Sequence, residues 1–149
     1  MIWIEEISRN WKRDGDWRIA PAGLAWIAEG HRIIVGNGTS IGDRASIGNG
    51  TRIGNGTSIG DDASIGDRAS IGDDASEVID LGFVDGYRKC IAGVNGVAYV
   101  GAGCRWFTLA EAIKHWESHE KNRDLTLCLM QSAIHIAGLK GWAFSEAEK

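Results

Sequence analysis

Val35-Gly-Asn-Gly-Thr-Ser, Ile41-Gly-Asp-Arg-Ala-Ser, Ile47-Gly-Asn-Gly-Thr-Arg, Ile53-Gly-Asn-Gly-Thr-Ser, Ile59-Gly-Asp-Asp-Ala-Ser, Ile65-Gly-Asp-Arg-Ala-Ser, Ile71-Gly-Asp-Asp-Ala-Ser: seven hexads fill residues 35–76 without a break. An aliphatic residue opens each one, Gly follows, then Asn or Asp, and the fifth residue is Thr or Ala. A period of six is neither the 3.6 of an α-helix nor the two of a plain strand. Gly followed by Asn or Asp supplies the backbone freedom of a sharp bend. Each hexad therefore reads as a short strand and a bend, repeated as a solenoid.

This pattern resembles the hexapeptide-repeat family of left-handed parallel β-helices. The resemblance covers 42 of 149 residues. It implies that three hexads make one triangular coil, with the aliphatic residue inward and the small fifth residue beside it. Equivalent positions then stack at a shift of 18 residues: Val35, Ile53 and Ile71 on one inner edge, Ile41 and Ile59 on the second, Ile47 and Ile65 on the third. Outside, Arg44 stacks over Asp62, and Asp43 over Asp61 as a like-charge pair that reads as a solvated face or, less simply, a cation site. Seven hexads make little more than two coils, a prism about 10 Å tall at strand spacing. So thin a prism needs caps for its open ends and neighbours for its sides. The family supplies neighbours by trimerising, so a homo-oligomer, a trimer or a multiple of three, is expected.

The flanks supply the caps. Residues 1–34 carry Trp3, Trp11, Trp17 and Trp26 interleaved with Arg9, Lys12, Arg13 and Arg18. These form either a cover for the open coil end or an aromatic and basic gripping surface. Residues 87–107 read as a hairpin around Asn95-Gly96, with Cys90, Ala92, Val94, Val97 and Tyr99 on one face. Thr108-Leu-Ala-Glu111 is a capping box that starts a helix with Leu109, Ala112, Ile113 and Trp116 inward. A second helix, from about Asp124 to Leu139, is apolar nearly all round and should be buried, in part between subunits. The expected fold is thus β-rich α+β: an N-terminal Trp-rich cap over 1–34, the coil over 35–76, and a C-terminal hairpin with two helices over 77–149.

Composition narrows the function. The chain holds 16 basic and 20 acidic residues for a net charge of −4, with no strongly basic segment, which excludes a general nucleic-acid backbone binder. There is no membrane-length apolar run and no signal-peptide pattern at the N-terminus, so a cytoplasmic location is expected, that of the host cell if the chain is phage-encoded. Cys90, Cys104 and Cys128 form no C-x-x-C pair and sit among apolar neighbours, and they read as reduced core residues.

The family's best-known members are acyltransferases that use a histidine and a coenzyme A groove. Here no histidine lies within the hexads and His31 precedes them, which counts against that activity. His115 and His119 stand four apart on one helix face without the H-E-x-x-H pattern, and they read as solvated or capping residues, not as metal ligands. No metal and no cofactor is expected. Tyr87, Arg88, Lys89, Arg105 and Trp106 form the most site-like cluster, because the hairpin register sets position 87 opposite 104 and brings Arg88 towards Arg105. Two guanidiniums beside aromatic rings, with His115 nearby, suit a small planar anion such as a nucleotide. The candidate ligand site is therefore Tyr87, Arg88, Arg105, Trp106 and His115.

Much of the chain after Gly86 is similar to small uncharacterised phage and prophage proteins. That resemblance implies a phage or prophage origin and carries no chemistry; by elimination the expected function is a non-catalytic accessory oligomer holding a small anionic ligand or a host protein, for example, by analogy with small phage oligomers, sequestering a host immune signal as an anti-defence device. The alternatives are an acyltransferase-like enzyme and a trimeric structural spacer of a virion.

Overall fold

The structure is a computed structural model describing residues 2–3, 11–84, 87–118 and 123–148. Seven short strands carry the repeat: β4 (Arg32–Val35), β5 (Ser40–Ile41), β6 (Ser46–Ile47), β7 (Thr51–Ile53), β8 (Ser58–Ile59), β9 (Ser64–Ile65) and β10 (Ser70–Ile71). Each pairs in parallel with the strand three hexads away. Val35 aligns with Ile53 and Ile53 with Ile71, Ile41 with Ile59, and Ile47 with Ile65. The expected 18-residue stacking is present on all three faces. Ile41, Ile47, Ile53, Ile59, Ile65 and Ile71 are at most 3% exposed, so the aliphatic position is the core position. Burying each isoleucine is worth roughly 1.5–3 kcal/mol.

The fifth position is also buried throughout, and its Thr/Ala choice has a cause. The hydroxyls of Thr39 and Thr57 donate to the carbonyls of Gly54 and Gly72 on the next coil at 2.9 and 3.0 Å, and that of Thr51 lies between the Gly48 carbonyl of its own hexad at 2.9 Å and the Gly66 carbonyl of the next coil at 3.2 Å. The third position works between coils as well. Oδ1 of Asn55, Asp61, Asp67 and Asp73 accepts the backbone N–H of Asn37, Asp43, Asn49 and Asn55 at 2.7–2.9 Å. The stacked Asp43 and Asp61 thus belong to a side-chain-to-backbone ladder, and no metal-ligating cluster occurs among the described residues. Arg44 lies over Asp62 as expected, in a two-pronged pair at 2.6 and 3.0 Å. That contact holds the Asp62 carboxyl below its ordinary range. Its contribution is therefore present above the ordinary carboxylate pKa and lost as pH falls through the depressed value.

The bend sits elsewhere in the hexad than the Gly-Asn/Asp pair suggests. Positive φ occurs at the fourth residue: Gly38, Arg44, Gly50, Gly56, Asp62, Arg68 and Asp74, between +58° and +75°. The second-position glycines are required for space. A Cβ on Gly42 would stand 2.5 Å from the amide nitrogen of Asp61, whereas one on Gly38 would meet nothing closer than 3.8 Å. Gly42→Ala is therefore expected to cost about 3 kcal/mol or more, the scale of severe overpacking. Gly38→Ala should lose only the left-handed penalty of about 1–2 kcal/mol. Urea unfolding of the two variants checks the order.

Antiparallel flanking strands extend the parallel stacks, so the sheets are mixed. At the N-terminal end, β1 (Ile2–Trp3) pairs with β5, and the hairpin of β2 (Lys12–Asp14) and β3 (Trp17–Ile19) adds to β4. The Trp26 carbonyl accepts the amide of Ile47 at 2.8 Å, continuing the third face. Trp11 and Trp26 stack at 5.7 Å in the core, which is the cap reading of the tryptophans. Trp17 instead lies on the outer surface under Arg52, with the guanidinium 4.7 Å from the ring centre. The side chains of Trp3 and Arg9 lie outside the described residues.

At the other end, β11 (Ala75–Val84) joins the second face through Val78 against Ile59 and opens a meander with β12 (Tyr87–Val94), β13 (Val97–Ala102) and β14 (Arg105–Thr108). The Asn95-Gly96 hairpin has the expected register, but it is the middle of four strands. One meander face, with Cys90, Ala92, Val94 and Trp106, closes the coil. The other, with Ile91, Val100 and Phe107, receives α1 (Leu109–Glu117) and α2 (Arg123–Lys140). The Thr108 capping box is formed in full. Within one chain α2 buries a single row, Thr126, Met130, Ala133 and Ala137, and leaves Leu125 and Leu139 60% and 75% exposed. Its all-round apolar sequence is thus half satisfied in the monomer. No helix among the described residues is long and apolar enough to cross a membrane.

Candidate functional site

Strand alternation decides which side chains of the meander meet. Cys90, Gly101 and Trp106 align across β12, β13 and β14 and face the coil, while Lys89, Ala102 and Arg105 align on the helix side. Arg88 has the parity of Cys90, and its Cβ packs where a side chain on Gly66 would stand. Arg88 and Arg105 therefore lie on opposite faces of the sheet, and the register that brings their backbones near does not bring their charges together. Trp106 covers Gly72 and stacks on Tyr99 at 5.6 Å, so it closes the end of the coil. His115 packs against Phe107 and Trp116 on the helix side, at 5.7 and 5.3 Å between ring centres. Lys89 is 2% exposed and donates to the Val84 carbonyl. The side chain of Tyr87 and the whole of His119 lie outside the described residues.

A different cluster forms around Arg88. The two-stranded face β6–β9 is the floor of an open groove of about 1080 Å³. One wall is the cap segment from Leu24 to His31, and the other is the overhanging tip of the β11–β12 hairpin, with Phe83 and Arg88. The Ser, Asp and Arg surface of the hexads forms a recess here because the flanks wall it in. Arg88 is held at the rim by Asp80 at 3.0 Å, both side chains about a third exposed. Arg68 projects beside it from the left-handed position of its hexad. At the other end His31 lines the groove, and its Nδ1 is buried without a hydrogen-bond partner among the described residues. Arg68 and Arg88, the latter shared with Asp80, stand with the His31 imidazole as the groove's nitrogen donors, against Asp67 in its lining.

Nothing in the residue pattern around His31 or Arg68 marks them as site residues, because the cap and hairpin walls that make the groove are distant in sequence. The only hint is that the fourth hexad position projects.

The thiols offer little reactivity in the core. Burial pushes the Cys90 thiol up to about 12. Cys104 and Cys128 are exposed, contrary to the core reading. Cys104 sits in the β13–β14 turn and Cys128 on the outer side of α2, so apolar neighbours in sequence did not mean burial. At pH 8 an alkylating reagent should label two thiols rapidly and the third only on unfolding, as counted by intact mass. Because the folded thiol resists ionisation, the fold loses stability as pH climbs from the ordinary thiol range towards about 12, where the unfolded chain alone gains the thiolate.

Residues 44–76 match the family model described as "Bacterial transferase hexapeptide (six repeats)". No curated protein sequence and no solved structure matches the chain. By the one match, spanning less than a quarter of the chain, the coiled segment is similar to the bacterial-transferase hexapeptide repeat.

Proposed function

We propose that the chain is a homo-oligomeric, non-catalytic binding protein. In this reading its seven hexads wind a left-handed triangular coil, capped by the segments before 35 and after 76. The coil carries a small anionic ligand in the groove over β6–β9. The observation that supports this most is the placement of Arg68, Arg88 and His31 around one recess. Hexapeptide-repeat proteins commonly form trimers, which supports the oligomer. The phage accessory and anti-defence role, in the host cytoplasm, rests on the similarity of the C-terminal half alone. In this reading Arg88 meets the ligand, whereas Arg105, Trp106 and His115 are not among the residues that line the groove.

One observation favours acyl transfer as a second reading. His31 lines the groove, so an imidazole stands beside it although it precedes the hexads.

Native mass spectrometry of the purified protein, beside Arg68→Ala/Arg88→Ala, tests the choice. The binding reading expects excess mass on the wild-type oligomer and its loss, with the oligomer intact, in the double variant. Consumption of acetyl-coenzyme A that stops in His31→Ala would replace it with the transferase.

A further inference from the structure

A surface helix ordinarily carries its charges on the solvent side. α2 does not. From Leu125 to Leu139 it holds no Asp, Glu, Lys or Arg, in a chain of which 24% is charged, and the charges return only with Asp124 and Lys140 at its ends. One side accounts for part of this: Met130, Ala133 and Ala137 pack against the meander and α1. The opposite side faces solvent within one chain, and two of the three exposed large hydrophobic side chains, Leu125 and Leu139, stand on it.

That exposed side is ordered. Leu125, Leu129, Ser132, Ile136 and Leu139 follow one another at intervals of four, three, four and three, the spacing of a seam between two helices. Leu129 and Ile136 are half-buried at its edge, and exposed Ser132 supplies a small residue at its middle.

The seam also reads alike in both directions. Leu125 and Leu139 lie seven residues either side of Ser132, and Leu129 and Ile136 lie three and four. This symmetry selects the occupant. In a two-fold contact the same patch is used by both copies, so residue i meets j and j meets i. A second α2 running antiparallel, with the axis at Ser132, sets Leu125 against Leu139 and Leu129 against Ile136, and the serine lets the backbones approach. Other occupants fit less well. A helix that lies on a membrane flanks its apolar face with Lys and Arg, and this one has none along its length. A charged partner surface would meet no opposite charge here.

We infer that two copies of this chain pair through α2, antiparallel about a two-fold axis at Ser132, with Leu125 of each copy against Leu139 of the other. This deepens the homo-oligomer reading above by assigning one contact surface, and it doubles whatever number of chains the coil itself brings together. The groove over β6–β9 takes no part in it.

Sedimentation equilibrium of three full-length chains tests it: wild type, Leu125→Glu/Leu139→Glu, and Leu125→Glu/Leu139→Lys. Within one helix the two positions are about 21 Å apart, so they meet only across the pair. The first double variant opposes carboxylates at both ends of the seam, and the second opposes a carboxylate and an ammonium. Both positions are exposed, and melting curves check that each variant folds. The expected result is an even number of chains in the wild type, association about tenfold or more weaker in the first double variant, and recovery in the second. A further measurement changes no charge. In a chain with Cys104→Ser and Cys128→Ser, Ser132→Cys should bridge two chains on oxidation, read as a doubled mass, and Leu125→Cys should not. A three-chain wild type, a first double variant associated like wild type, or the absence of the Ser132→Cys bridge overturns the pairing and leaves the homo-oligomer reading standing. A monomeric wild type overturns both. Dissociation of the first double variant without recovery in the second, or bridging through Leu125→Cys, overturns the antiparallel arrangement.

Discussion

Ile59→Asp abolishes the folded state, whereas Ser64→Asp leaves it intact. Ile59 is 2% exposed and lies between Ile41 on one coil and Val78 of β11 on the next. A carboxylate there loses the buried isoleucine's contribution, about 2–5 kcal/mol for a large truncation, and adds a charge with no cation facing it from the aliphatic stack. The sum is comparable with the entire stability of an ordinary domain, about 5–15 kcal/mol. Ser64, five residues later, points outward beside Ser46, where a charge stays hydrated and the expected change is within about 0.5 kcal/mol. Far-UV circular dichroism melts of both variants read the difference. Equal melting temperatures for Ile59→Asp and wild type would show the inward assignment to be wrong.

The second large effect is one of phase. Deleting 41–58 removes three hexads, a full coil. Val35 then meets Ile71 directly, Ser40 runs into Ile59 beneath Val78, and Ile65 takes the place of Ile47 against the Trp26 carbonyl. Every docking made by the cap and the meander keeps its face. Deleting one hexad, 41–46, turns everything C-terminal by one face, so the meander meets the wrong strand while β1 and the cap segment keep their places. A soluble, cooperative protein is expected from the first deletion and an aggregated or molten product from the second, read by size-exclusion chromatography and thermal melts. If both fold alike, the caps do not dock on particular faces.

These two predictions draw on what was most legible in the sequence. Each hexad position has a fixed environment, so period and chemistry together reveal the inward isoleucines, the buried Thr or Ala, and the Arg44 and Asp62 pair. Asn95-Gly96 and Thr108 with Glu111 are local signals in which side chain and backbone settle the matter within four residues. Misread features depended on distant partners. Gly42 looks like a bend residue until Asp61 is seen pressing on it from the next coil. Arg88 and Arg105 look adjacent by register, yet alternation sends them to opposite faces. The ten residues of β11 carry no turn signal at the point where they leave the coil, so the sequence shows a hairpin where the structure has a four-stranded meander. The groove was the least legible feature, because its floor, its cap wall and its hairpin wall come from three separate parts of the chain. Trp11 and Trp26 pack in the core beside the coil, and Trp17 stands on an outer face under Arg52.

The 18-residue stacking of one hexad on another sets the faces, the corners and the floor of the groove. Disulfide formation reports it directly. In a chain with Cys104→Ser and Cys128→Ser, Ser46→Cys/Ser64→Cys sets two thiols side by side on β6 and β9, within the reach of an unstrained bridge, about 4.4–6.8 Å between Cα atoms. Ser46→Cys/Ser58→Cys, two hexads apart, sets them on different faces. Oxidation of the folded protein followed by intact-mass measurement should show a loss of two hydrogens for the first pair and none for the second. Bridging of the second pair with none in the first would contradict the stacking and everything built on it.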